Sequence, residues 1–437
     1  MTTPQSELQT SRVIEKSPVF YGWIILVAGT IGIILSGPGQ TFAFSIFIEE
    51  FIRELGISRT LVSTLYTVGT IGGSLALPFI GRQIDKRGSR TMAVVIGLTF
   101  GIACLYMSTV RNIAMLLVGF IAMRMLGQSS MVIVSRNVIN QWWVRRRGFI
   151  LGLSTLVTSI STGLLPRFIN WLIPMFGWRI TYSILGGIVI SIMVPIGYIF
   201  FRDKPELFGL KPDGNFKPKK ATSPAVSGDS QTAEIEELNE PLEINWTTRE
   251  AVKTPAFWFI LLANGSFSML GTGLIFHMVS IFGDNGLSPD LAAAVFLPMS
   301  ITTSLFSIPG GWLVDHIEAK YMLSIGLVLQ VVTILFSASI GSPALGVLYG
   351  IVFGLTNGFA RSVANVIWAN YFGRENLGAI SGLTTTFGAA ASGIGPLIYG
   401  VGRDFSGSYW PTLWVSALLP AVMAILVLFM KRPAKES

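Results

Sequence analysis

Apolar runs of membrane-crossing length recur along this chain, separated by glycine, polar or charged residues, and they constrain its fold more than any other feature. They cover about residues 20–48, 60–81, 89–110, 112–142, 147–171 and 178–201, then about 255–283, 290–314, 320–341, 343–372, 377–402 and 409–430. A bilayer core about 30 Å thick takes roughly 20 apolar residues per helix, so each run reads as one crossing. The runs fall into six plus six.

The two sets repeat at an offset of about 230 residues. Gly81 and Asp85 match Gly311 and Asp315, while Gly152, Gly163 and Pro166 match Gly382, Gly393 and Pro396. A repeat of six helices, both copies starting on one side, places a pseudo-twofold axis along the membrane normal and a binding site between the halves. The expected fold class is therefore all-α: a polytopic membrane protein of about 12 transmembrane helices in two pseudo-symmetric six-helix bundles.

Composition agrees and closes other doors. Hydrophobic residues make up 51% of the 437 positions and charged residues 12%, a balance that leaves little for a soluble domain. The net charge of +8 sits at span ends, not along one stripe, which argues for topology signals and against nucleic acid as a partner. The single cysteine, Cys104, excludes an intrachain disulfide or a cysteine metal cluster. No cofactor or metal is expected. The first 18 residues lack the apolar core and small-residue cleavage site of a signal peptide.

Five segments follow: an N-terminal tail (1–18), a first bundle (19–202), a linker (203–248), a second bundle (249–431) and a C-terminal tail (432–437). The linker is rich in proline, lysine and glutamate and cannot bury enough apolar surface to fold alone. With the N-terminus inside, 22 lysines and arginines face the cytoplasm against 5 outside, so both termini are expected to be cytoplasmic, in the plasma (inner) membrane.

The segment GRQIDKRGSR, residues 81–90, resembles the loop between the second and third helices of the major facilitator superfamily. YGW opening the first span, GPGQTFAFSIF within it, RMLGQSS in the fourth, WWVRRRGFILG into the fifth, GWR before the sixth, FHMVSIFGDNGLS in the seventh and ANYFGRENLGAISGL into the eleventh resemble the branch of monocarboxylate porters and the oxalate:formate antiporter. The resemblance implies the fold, two rocking bundles and a small carboxylate as substrate. A monomer is expected, with the proton as a coupling ion. One departure stands out. Members of that branch often carry an arginine in the eighth helix, whereas LAAAVFLPMSITTSLFSIPGG has no charge.

A charge in hydrocarbon costs at least about 2.5 kcal/mol, so arginines within spans are candidates for function. Arg361 leads, because Asn357, Arg361 and Asn365 recur at i, i+4 and i+8 and share one helical face. Arg124 lies near the midplane of the fourth span, followed by Gln128. Arg136 lies close enough to the cytoplasmic end of that span to snorkel. No aspartate or glutamate falls well inside a run, so these cations want an anion, and a guanidinium suits a carboxylate. His277 is the one deep group suited to proton relay, and Gln40, Tyr66 and Asn264 are polar lining candidates. Gly81, Asp85, Gly88, Arg90, Gly311 and Asp315 read as gate parts, the glycines permitting a close turn and helix approach.

The expected function is a secondary active transporter of a small organic anion, a monocarboxylate above all, by proton symport or anion exchange. The alternatives are an efflux carrier for amphipathic compounds and a transporter-like sensor. An enzyme is disfavoured, since HExxH, GxSxG and a paired-carboxylate constellation in register with the spans are missing, and a primary pump by the lack of a phosphate-binding GxxxxGK[ST].

Overall fold

The computed structural model describes residues 11–15, 17–144, 146–214, 246–373 and 376–433. The first bundle begins with a span made of two helices, Gly22–Leu35 and Thr41–Leu55, joined by a tight turn at Gly37–Gly39. The second span, Arg59–Leu75, runs on into Leu77–Ser108, where Gly88 at φ 82° turns the chain into the third. The fourth is Ile113–Met123, a wide π turn at Arg124–Met131, and Val132–Trp142. Arg147–Phe200 is two spans broken at Gly177.

In the second bundle the seventh span comprises Pro255–Phe276 and Met278–Asp284. The eighth to twelfth are Pro289–His316, Ala319–Ser337, Pro343–Phe372, Leu377–Ser406 and Trp410–Leu428. Nine stretches among the described residues are long and apolar enough to cross a bilayer. One of them, Phe149–Phe200, holds both the fifth and sixth spans, and Arg59–Leu75 and Leu377–Ser406 complete the twelve. Helices satisfy their own backbone groups, which lipid cannot. Outward-facing apolar side chains such as Val27, Trp171 and Val415 are more than half exposed and meet that lipid.

Local signals set the helix starts, and they repeat. Ser58 Oγ accepts from Leu61 N at 3.1 Å, and Ser288 Oγ from Leu291 N at 3.3 Å. Asn112 Oδ1 accepts from Met115 N at 2.9 Å, and Ser342 Oγ from Leu345 N at 3.3 Å. Each pair is separated by the sequence offset, and each satisfies a donor that the first helical turn leaves orphaned.

The seam between bundles carries the same symmetry. The fifth span meets the eighth where a Cβ on Gly163 would lie 2.8 Å from Ser300 Oγ. The second meets the eleventh where a Cβ on Gly393 would lie 3.6 Å from Thr70, the residue that corresponds to Ser300. Small residues at these crossings let the helices approach.

Residues 203–214, which composition assigns to the linker, are docked on the first bundle. Asp213 takes the backbone N–H groups of Val144 and Arg146, each at 3.2 Å, and its own N–H donates to Trp142 O at 3.0 Å. At the other end Trp246 N donates to Phe372 O at 3.0 Å. The rest of the linker, 215–245, and most of the expected tails lie outside the described residues.

Candidate functional site

Two motifs of the first bundle form one joint. The turn at Gly37–Gly39 breaks the first span beside the π turn of the fourth, so that a Cβ on Gly39 would lie 2.9 Å from Gly127 Cα. Only glycines at both positions allow this approach. The turn leaves Gly39 O unused by its own helix, and Arg124 Nη1 donates to it at 3.1 Å. Arg124 Nε donates to Thr70 Oγ1 at 3.0 Å and the guanidinium stacks over Tyr66. Arg124 is thus buried among the first, second and fourth spans. Tyr66 is buried with it, its hydroxyl bonded to Thr41 Oγ1 at 2.6 Å.

Between the bundles lie two adjoining chambers, of about 420 and 710 Å³. They share Thr41, Gln128, Ile275, Asn357 and Arg361. Arg361 comes from the second bundle and is exposed to this space. Opposite it, from the first bundle, Arg136 lines the smaller chamber, and it too is exposed. Sequence depth assigns Arg136 to the membrane interface; the structure puts it on the wall. The bulkiest signal missed by sequence reasoning is the hydroxyl lining of the smaller chamber, including Thr155, Thr158, Ser159 and Thr162 from the fifth span and Ser300 and Thr303 from the eighth. Among the described lining residues there is no aspartate or glutamate.

Of the other predicted residues, Gln40 lines the smaller chamber while donating from Nε2 to Ser36 Oγ at 3.0 Å. Asn264 lines the larger. The side chain of Asn365 lies outside the described residues. Arg124, Tyr66 and His277 line neither chamber.

Hydrogen bonds between the bundles run from mid-span to the end remote from the termini. Ser304 Oγ donates to Ser159 Oγ at 2.6 Å and Thr67 Oγ1 to Gly393 O at 2.6 Å within the spans, and Thr60 N donates to Asp404 Oδ2 at 2.7 Å at that end. Arg59 spans the seam by binding Glu49 and donating to Ser280 Oγ at 2.6 Å, and Asn170 binds Asp290. His277 belongs to this closure. Its Nε2 lies 2.9 Å from Pro396 O and 3.3 Å from Ser63 Oγ, and its Nδ1 2.8 Å from Tyr409 OH. A carbonyl only accepts, so Nε2 carries the proton and, in the neutral ring, Nδ1 accepts from Tyr409.

The loop motif lies at the opposite end. Gly88 has a positive φ, and a Cβ there would meet the Asp203 carboxylate at 2.5 Å. Arg90 N donates to Asp203 Oδ1 at 3.1 Å and Arg90 Nε to Tyr198 O at 2.9 Å. Asp85 is exposed. A Cβ on Gly81 would meet nothing within 4 Å, so the close approach expected there is not made in this conformation. Nothing is described of the surroundings of Gly311 or of the Asp315 side chain.

Known proteins share this architecture. The chain is 24% identical over 431 residues to the glucose transporter GlcP of Staphylococcus epidermidis, covering 93% of this chain and 92% of that one. It is 24% identical to monocarboxylate transporter 2 of Meriones unguiculatus (94% and 83% covered) and to monocarboxylate transporter 1 of Mus musculus (93% and 83%). Among solved structures, a D-xylose–proton symporter superposes with a TM-score of 0.70 at 14% identity, covering 94% of this chain and 98% of that one. A bacterial homolog of the human lysosomal transporter Spinster, inward-facing and unoccupied, gives 0.66 at 14% identity, with 93% and 95% covered. The family model of the Major Facilitator Superfamily matches residues 29–298 and 257–437, and this multi-pass membrane protein is a transporter belonging to that superfamily.

Proposed function

We propose that the protein is a secondary transporter of a small organic anion, a monocarboxylate in the first instance, and that it works by alternating access. The observation that carries this reading is the pair Arg136 and Arg361. One comes from each bundle, both are exposed to a shared chamber, and no acid lies among the described residues of its wall. Two uncompensated guanidiniums attract a carboxylate, and their planar forks can each bind one in bidentate fashion. An anion between them would tie the bundles together on the open side and favour closure there.

The monocarboxylate transporters among the relatives support this substrate class; the glucose transporter supports the fold without an anion. The basic bias of 22 against 5 supports cytoplasmic termini in the plasma membrane, which makes the open end the cytoplasmic one. Coupling is by proton symport or anion exchange, with the protein acting as a monomer. In proteoliposomes, labelled pyruvate should enter vesicles preloaded with unlabelled pyruvate faster than protein-free controls. A proton gradient should drive net uptake only if the mode is symport. A protein that binds carboxylates but neither exchanges nor accumulates them would be a sensor, and this reading would fail.

A further inference from the structure

We propose that the substrate is a polyhydroxylated monocarboxylate, its carboxylate held by Arg136 and Arg361 and its hydroxyls by the serine and threonine wall beside them. The anionic end rests on the reading above; the hydroxylated remainder rests on a separate observation.

That observation is where the wall hydroxyls send their protons. Thr155 Oγ1 donates to Leu151 O at 2.8 Å, Thr158 Oγ1 to Thr155 O at 3.1 Å and Thr162 Oγ1 to Thr158 O at 3.0 Å. Across the chamber Ser300 Oγ donates to Leu297 O at 3.0 Å and Thr303 Oγ1 to Met299 O at 2.8 Å. Each hydroxyl has one proton, already committed, and retains lone pairs. The wall therefore presents acceptors.

A plain carboxylate offers acceptors alone. It satisfies the arginines and leaves the serines and threonines facing it without a donor, whereas an alcohol both donates and accepts.

Size permits it: the 420 Å³ chamber adjoins the one of 710 Å³, which leaves room for a solute larger than a three-carbon keto acid.

Calorimetric titration of the purified full chain with gluconate, pyruvate and glucose separates the claims. Gluconate should bind at least about tenfold tighter than either of the others, the difference made by about one charge-assisted or buried hydrogen bond. Ser300→Ala and, as a second variant on a different helix, Thr158→Val should each weaken gluconate at least fivefold more than pyruvate. Pyruvate equal to or tighter than gluconate would overturn the polyhydroxy inference and leave the anion reading standing. Glucose equal to gluconate would overturn the anion reading itself. Absence of gluconate binding, or equal losses for both acids in both variants, would also overturn the inference.

Discussion

Arg59 and Glu49 form an ion pair, with Nη2 and Oε2 2.8 Å apart, that belongs to the first bundle but is locked to the second through Ser280. Its position, at the end remote from the termini, makes it a latch on the closed side of the seam. The Glu49 side chain is 40% exposed, so the pair is worth about 1 kcal/mol at most in water. Glu49→Gln should then shift the ratio of the two access states about fivefold toward opening of that end. Spin labels on each bundle at that end would report a larger fraction of long distances. An unchanged distance distribution would show that the latch carries no bias.

Asp85 is exposed on the helix just before the Gly88 turn, at the other end, and lines neither chamber. Asp85→Asn is expected to leave substrate affinity within about threefold and to slow turnover, because a gate group biases the equilibrium between states without touching solute. Equilibrium titration and exchange rates on the same preparation check it. Loss of binding by folded protein would place Asp85 in the site.

Arg124 shows what a buried arginine does when its partners are internal. Arg124→Gln removes donors from Gly39 O and Thr70 Oγ1 in a packed joint, at a cost of about 2–4 kcal/mol. The melting temperature should fall by several degrees, and the affinity of the surviving folded protein should stay near that of the parent. Thermal unfolding and titration together decide the matter; an affinity loss without a stability loss would make Arg124 a substrate contact.

The linker prediction follows from where the chain is docked. Residues 1–214 co-expressed with 246–437 should associate and transport, since the cut spares the Asp213 and Trp246 contacts. Cutting after residue 202 instead removes Asp213, which takes the N–H groups of Val144 and Arg146, and should lower the yield of complex. Copurification through a tag on one half measures both. Halves that never associate with either cut would contradict the account.

The spans, the repeat and the loop motif were legible because each follows from local rules: apolar length for lipid, one offset for both copies, a glycine where φ must be positive. Asn357 and Arg361 were legible as a helical face, and both line the chambers. Arg136 was not, because distance from a span end measures depth in lipid and says nothing about which residues line a chamber between the bundles. Arg124 shows the converse: it is deep, but the break at Gly37–Gly39 offers it a carbonyl, and that is a contact between distant spans. His277 finds Ser63 across 214 residues and Pro396 across 119, so its role in the closure depends on the packing of the bundles. Composition likewise hid the docking of residues 203–214, which turns on a single carboxylate, Asp213.

The central claim is that the substrate's anionic group is held by Arg361 together with Arg136. The most direct measurement is the affinity of the best carboxylate for Arg361→Gln and Arg361→Lys, read with the melting temperature of each. Loss of a charge-assisted contact costs about 2–4 kcal/mol, so Arg361→Gln should bind roughly 30-fold to 1000-fold more weakly, with a melting temperature close to the parent's. Lysine should restore little of this, because its compact ammonium lacks the bidentate fork. An Arg361→Gln protein that melts early and binds the carboxylate with unchanged affinity would contradict the claim.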